Sequence, residues 1–122
     1  KIIIFESEKS VLLCDTYYKQ NNFSVAVCGS NITDTQCRMI RSLGVSEVMI
    51  AFDKEYENAK SKLAEAYYNK LLKLAYKLTA YCTVYLLMDT EDLLEQKDSP
   101  ADRGKEILEK LMKNKIEVRK EE

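Results

Sequence analysis

Histidine is absent from the 122 residues. Its absence excludes Ser-His and Cys-His catalysis and histidine-ligated zinc within this segment. Three glycines and one proline leave no Gly/Pro-rich linker. There is no internal repeat or low-complexity tract either, so one domain over 1–122 is the economical reading. No apolar run approaches the roughly 18 residues that a membrane span needs. The apolar start covers about five residues before Glu6, shorter than a secretory h-region. Together these absences lead us to expect a cytoplasmic protein with no membrane contact. Charge of one sign is lacking as well: 19 basic and 20 acidic residues give a net charge of −1. The strongly basic footprint of many nucleic-acid binders is therefore missing. Divalent cations held by carboxylates would reverse the local field, so nucleic acid is not excluded.

The four cysteines, Cys14, Cys28, Cys37 and Cys82, form no C-x-x-C pair. Cys28 falls in an apolar strand pattern, and Cys14 and Cys37 fall in apolar-patterned helices. They read as reduced, buried thiols rather than a disulfide or zinc framework. Hydrophobic residues make up 46% of the chain, enough for a packed core. The chain opens inside an apolar strand, and we expect it to be a piece of a longer protein.

Strand and helix patterns alternate. Strands are expected over 1–5, 23–28, 47–52 and 83–88, with helices over 9–20, about 33–43 and about 57–81. Thr33 and Gln36 have the spacing of a capping box, and Gly44 suits a helix end. Ser99-Pro100-Ala101-Asp102 reads as the start of a last helix running to about 114. Ile116 and Val118 could form a short edge strand, but the charged end predicts a frayed tail over 115–122. Short connections between alternating elements imply βαβ units. The expected fold is α/β and Rossmann-like, with about four mainly parallel strands and helices on both faces.

Two apolar runs stop on carboxylates. Ile2-Ile3-Ile4-Phe5 leads to Glu6, and Val48-Met49-Ile50-Ala51-Phe52 leads to Asp53-Lys54-Glu55. In a parallel sheet both ends share the edge where open α/β sheets bind ligands. Glu6, Asp53 and Glu55 would then converge as an oxygen-rich site for Mg²⁺ or Mn²⁺. Two such ions can clamp the attacking and leaving oxygens of a phosphodiester. From the pattern alone, acids in solvated loops fit equally well. Gly29, in Gly29-Ser30-Asn31, lies on the same edge and would allow close approach of a phosphate, or is an ordinary turn glycine. Lys9 would meet a phosphate near a helix N-terminus, or face solvent. Asp98 is the acid in its segment that capping explains least, and it is a second-line candidate for the edge. Lys62, Lys70, Lys73 and Lys77 on the long helix are interspersed with Glu57 and Glu65. They read as a solvated face rather than a nucleic-acid stripe.

The order of these motifs resembles the Toprim domain shared by bacterial DnaG-type primases, topoisomerases and some nucleases and recombination proteins. The resemblance covers nearly the whole chain and is strongest to the primase branch. Phe5-Glu6-Ser7-Glu8-Lys9-Ser10 resembles the E-x-E-K-S start. Gly29-Ser30-Asn31-Ile32-Thr33-Asp34-Thr35-Gln36 resembles the family's second turn and helix. Ala51-Phe52-Asp53-Lys54-Glu55 occupies the D-x-D position. Lys97-Asp98-Ser99-Pro100-Ala101-Asp102 resembles the K-D-P-x-D element with a serine inserted.

The resemblance implies Mg²⁺-dependent nucleotidyl transfer, making RNA primers on single-stranded DNA from nucleoside triphosphates. A replicative helicase would be a further partner of the whole enzyme. Glu6 would act as general base or metal ligand, Asp53 and Glu55 as metal ligands, and Lys9 as a catalytic phosphate contact. Three positions depart from the pattern: Glu55 replaces the second Asp, Ser7 a frequent Gly, and Glu57-Asn58-Ala59 lacks the usual Gly. They predict a divergent phage, plasmid or integrated-element branch. This segment alone is expected to bind metal weakly and prime little or not at all. A Toprim nuclease or recombination accessory domain, and a degenerate module used for protein contacts, are alternatives within the fold. A receiver-type signalling domain phosphorylated on Asp53 is a rival from another class. Against it, the first strand ends in a single Glu6, and residues 83–88 lead to Asp89 rather than a lysine.

Overall fold

The computed structural model describes residues 1–119. Five strands and four helices alternate along the chain. Strand β1 is Ile2–Phe5 and helix α1 is Glu8–Tyr18, followed by a 3₁₀ turn at Lys19–Asn21. Strand β2 is Ser24–Ala26, α2 is Asp34–Ser42, β3 is Glu47–Ala51 and α3 is Lys62–Tyr76. Strand β4 is Thr83–Leu86, α4 is Lys105–Lys113 and β5 is Ile116–Val118.

The sheet order is β2-β1-β3-β4-β5. The first four strands are parallel, and β5 pairs antiparallel with β4. Central strands buried on both faces need apolar residues at every position. Strand β1 meets that demand: Ile2, Ile3, Ile4 and Phe5 are all buried. Ile2, Ile4, Val48 and Ile50 point to one face, against Ile40 of α2 and Leu71 and Leu74 of α3. Ile3, Phe5, Met49 and Ala51 point to the other, against Cys14 of α1 and Leu108 and Leu111 of α4. Each such side chain gives roughly 1.5–3 kcal/mol on burial, so the two-sided core fixes the register in which β1 and β3 lie side by side.

Strand order reverses at β1, with β2 on one side and β3 on the other. Phe5 pairs with Ala51 in the β1–β3 ladder. The residues just beyond this pair therefore open onto a topological switch point, where α/β sheets leave a crevice.

Four expectations need correction. The sheet has a fifth strand: Ile116–Val118 is paired rather than frayed, because Val118 is buried opposite Val84. Residues 120–122 of the expected tail lie outside the described residues. Helix α3 begins five residues later than 57, because Asn58 makes a turn, accepting from the Lys60 N–H, and Ser61 is the true cap, accepting from the Ala64 N–H. The last helix begins at Lys105. Ser99-Pro100-Ala101-Asp102 instead forms a closed turn in which the Asp102 carboxylate accepts from the Ser99 N–H. Cys28 is exposed, just past β2, with a left-handed φ of 60°. The capping box of Thr33 and Gln36 is present as expected.

Gly104 caps α4 with φ 101° and ψ 166°, a backbone region open almost only to glycine. A Cβ there would meet nothing within 4 Å, so conformational strain is the whole penalty. Gly104→Ala is expected to lower stability by about 1–3 kcal/mol in urea denaturation, with the fold unchanged.

A carboxylate edge at the switch point

Glu6 follows β1 directly and is half-buried. Its Oε2 accepts the Asp53 N–H at 2.6 Å, which ties the ends of β1 and β3 together. Burial pushes the Glu6 carboxyl above its ordinary range, and the nearby Glu55 charge adds to that. The Asp53 N–H bond and the Lys70 ammonium pull the other way.

Asp53 is the most perturbed acid of the edge. Burial, and then repulsion from Glu6, Asp102 and Glu55, push its pKa up to about 6; Lys9 opposes the shift. Asp53 Oδ1 is buried and has no hydrogen-bond partner among the described residues. Its backbone carbonyl accepts the hydroxyl of Tyr67 from α3, which fixes the main chain at this point. Glu55 is exposed two residues beyond Asp53, and its charge raises the pKa of both Glu6 and Asp53.

Lys54, between the two acids, turns inward and is 2% exposed. Its Nζ lies 3.0 Å from Asp89 Oδ2, 2.9 Å from Asp92 Oδ1 and 2.9 Å from the Leu94 carbonyl. Burial alone would lower its pKa, but the bonds to Asp92 and Asp89 outweigh that and the net shift is upward. The lysine therefore stays charged. Its main chain exchanges two further bonds with the loop after β4: Lys54 N–H to the Asp98 carbonyl at 2.8 Å, and Lys97 N–H to the Lys54 carbonyl at 2.6 Å. Asp89 is consumed in this knot, where it also accepts the Leu93 and Leu94 N–H groups. With Lys54 pulled inward, Asp53 and Glu55 stay on the edge that Glu6 shares.

Asp102 joins the edge. Its Oδ2 accepts the Ser99 N–H at 2.9 Å, while Oδ1 is buried without a hydrogen bond, with Lys9 Nζ 3.6 Å away. The turn carrying Asp102 is pinned to α1 by buried Ser10, whose hydroxyl donates to Ser99 Oγ at 2.6 Å, and by the Tyr17 hydroxyl bound to the Ala101 carbonyl at 2.8 Å. Asp98 is used differently. Its Oδ2 accepts from Arg103 Nε at 2.6 Å and from the Glu95 N–H at 2.9 Å, and Arg103 holds its carboxyl below the usual range. The structure thus brings together Glu6, Asp53, Glu55 and Lys9, adds Asp102, and engages Asp98 elsewhere. The sequence signal for Asp102 is its place two residues after the only proline, where a capping role accounts for it equally well.

Gly29 donates its N–H to the Glu6 carbonyl at 3.2 Å. A Cβ there would meet nothing within 4 Å, and the left-handed residue of this turn is Cys28. Glycine at 29 is therefore not required by the turn itself.

Among the described residues, no three Asp, Glu or Cys side chains converge tightly enough to cage an ion by themselves. Two buried carboxylate oxygens without a hydrogen bond still fit a cation: Asp53 Oδ1, and Asp102 Oδ1, which has the Lys9 ammonium 3.6 Å away. The donor set is all oxygen. Mg²⁺ commonly takes one or two carboxylates and completes its shell with water and phosphate, so sparse ligation suits it better than a closed cage.

No family model matches the chain. It is 53% identical over 126 residues to an uncharacterized SPbeta prophage-derived protein, YorJ, of Bacillus subtilis strain 168; the match covers 97% of this chain and 33% of that protein. The chain thus spans about a third of this relative's length. The fold is similar to the crystal structure of the Aquifex aeolicus primase zinc-binding and RNA polymerase domains. The TM-score is 0.65 at 20% identity, over 96% of this chain and 26% of that one. The likeness bears out the expected α/β fold. No helix among the described residues is long and apolar enough to cross a membrane.

Proposed function

We propose that this chain is the Toprim-type catalytic module of a phage-encoded primase. In the complete protein it would join ribonucleotides from nucleoside triphosphates into RNA primers on single-stranded DNA, using Mg²⁺ or Mn²⁺. The observation that carries the reading is Asp53 Oδ1, buried and without a donor among other carboxylates at the switch point. The primase-like fold and the prophage-derived relative support it.

Asp53 and Asp102 would hold the cation, with Glu55 reaching it directly or through water. A bound divalent ion supplies Lewis-acid polarisation of phosphoryl oxygens and neutralises their charge. The raised pKa of Glu6 brings its proton affinity closer to neutral pH, as a general base requires. The Asp53 N–H bond holds the Glu6 carboxylate in one orientation. Lys9, exposed beside Asp102, would meet a phosphate of the substrate.

The test is paramagnetic broadening by Mn²⁺ in amide spectra of the chain. Broadening should begin around Glu6, Asp53 and Asp102 and disappear in Glu6→Gln/Asp53→Asn. Uniform or absent broadening at millimolar Mn²⁺ would sink the assignment. In the complete protein, Asp53→Asn should reduce RNA synthesis by roughly 10²-fold or more. Cation-dependent shortening of DNA without RNA synthesis would instead identify a nuclease.

A further inference from the structure

Helices α2 and α3 lie on the same face of the sheet. Between them is a concavity of about 340 Å³ lined by Asp34, Cys37, Arg38, Arg41, Lys77 and Tyr81. Three of the six lining residues are cations, in a chain whose net charge is −1. Among the described residues, none of Arg38, Arg41 and Lys77 has a carboxylate within 4.0 Å. The Arg41 guanidinium stacks 3.7 Å over the Tyr81 ring, which is 52% exposed. Lys77 is held in place by bonds from its Nζ to the Ile32 carbonyl at 2.7 Å and to Asn31 Oδ1 at 3.3 Å. Two helical turns before Lys77, about 10.5 Å along the axis, the exposed Lys70 lies close enough to Glu6 to act on its carboxyl.

Read alone, the lysines of α3 are a mixed-charge solvated face. The arginines of α2 change that reading, because they converge with Lys77 on one hollow and bring an aromatic ring with them. Unpaired cations interleaved with an exposed aromatic suit a phosphodiester strand whose bases are free to stack. An acidic peptide would use the cations but leave the stacked Arg41–Tyr81 pair without a partner.

We propose that the α2–α3 face, through Arg38, Arg41, Lys77 and Tyr81, binds single-stranded nucleic acid, with Lys70 continuing the track toward the carboxylate edge. The surface is distinct from the proposed cation site, and binding to it needs no divalent ion. Arg38, Arg41 and Lys77 contact phosphates, and the Arg41–Tyr81 pair offers a stacking platform.

The test is fluorescence anisotropy of the 122-residue chain with a labelled oligothymidylate of about 16 nucleotides, in EDTA. Titrations run between about 50 and 200 mM salt. Arg38→Gln/Arg41→Gln/Lys77→Gln should weaken binding at least about ten-fold at the lower salt, and flatten the log–log salt slope by about 2, at about 0.7 per lost contact. Because Lys77 also ties down the Ile32 carbonyl, Arg38→Gln/Arg41→Gln is measured beside it, with thermal melts confirming that both fold. Tyr81→Leu should weaken binding about five-fold or more without altering the slope. Lys110→Glu/Lys113→Glu on α4 is the control and should bind much as the parent does.

The proposal is overturned if the arginine variants bind like the parent, or if the α4 control loses as much. Failure of the parent to saturate at the lower salt, or equal affinity for duplex of the same length, also overturns it. Because EDTA is present throughout, a failed cation site and a failed strand track give different results.

Discussion

Lys54→Met should lower the unfolding free energy by about 3–5 kcal/mol, the usual consequence of stranding a buried charge by removing its partner. Methionine fills a similar volume, so lost packing is a small part of the effect. What is lost is the ammonium that joins Asp89, Asp92 and the Leu94 carbonyl in a pocket where Lys54 and Asp89 side chains are each 1% exposed. Urea denaturation reads the change as a lower midpoint at unchanged slope. A double-mutant cycle with Asp89→Asn separates the pair from its surroundings. The two losses should fall short of additivity by at least about 1 kcal/mol, because each single variant strands the other group. A loss below about 1 kcal/mol for Lys54→Met would mean that the knot contributes little to the fold. Lys54 has a raised pKa, so its contribution is complete below its ordinary value of 10.5 and disappears as pH climbs through the raised value. Alkaline titration should therefore unfold the parent at a pH where Lys54→Met shows no matching step.

The knot also explains which parts of this protein can be read from its sequence. The runs ending in Glu6 and Asp53 are legible because a strand covered on both faces must be apolar throughout, and the first polar residue after it marks the exit. The Thr33–Gln36 capping box and Gly44 are legible because a helix end satisfies its own backbone locally. Lys54 was not legible. A lysine between two acids looks like solvent-facing charge, and only the folding back of Asp89 and Asp92 turns it inward. Nor does the sequence separate the roles of Asp98 and Asp102, for the same reason. Both sit beside Ser99-Pro100, and the choice between them is made by Arg103, which takes Asp98, and by the Ser10–Ser99 bond, which pulls Asp102 to the edge. Strand β5 was half-seen: three residues among charges give little periodicity, and its strand character comes from the free edge of β4. The apolar rhythm of α3 extends back past its true start, so Asn58 and Ser61 were hidden under it.

The carboxylate edge predicts a stability profile that runs opposite to the ordinary acidic case. Asp53 has a folded-state pKa of about 6 against an ordinary 3.8, so the native chain holds this proton more tightly than the unfolded chain does. The native state then binds more protons between those values, and stability falls as pH rises from about 4 to about 6. A shift of this size would correspond to about 3 kcal/mol, but Asp53 is only half-buried and solvent screening reduces the expected loss to about 1–2 kcal/mol. Asp53→Asn should flatten this limb and make the cation-free chain more stable at pH 7. A divalent cation should remove the penalty by another route, since it binds the ionised carboxylates and not the protonated ones. Mg²⁺ at ten times its dissociation constant would add about 1.4 kcal/mol at neutral pH, and less as pH falls through 6 and protons compete. Thermal melts in Mg²⁺ and in NaCl of matched ionic strength measure this directly. Equal stabilisation by the two salts, or a Mg²⁺ effect that survives Asp53→Asn, would mean general screening of an acidic surface. A Mg²⁺-specific gain that vanishes in Asp53→Asn, together with the inverted pH limb, would place the cation at the buried Asp53 Oδ1.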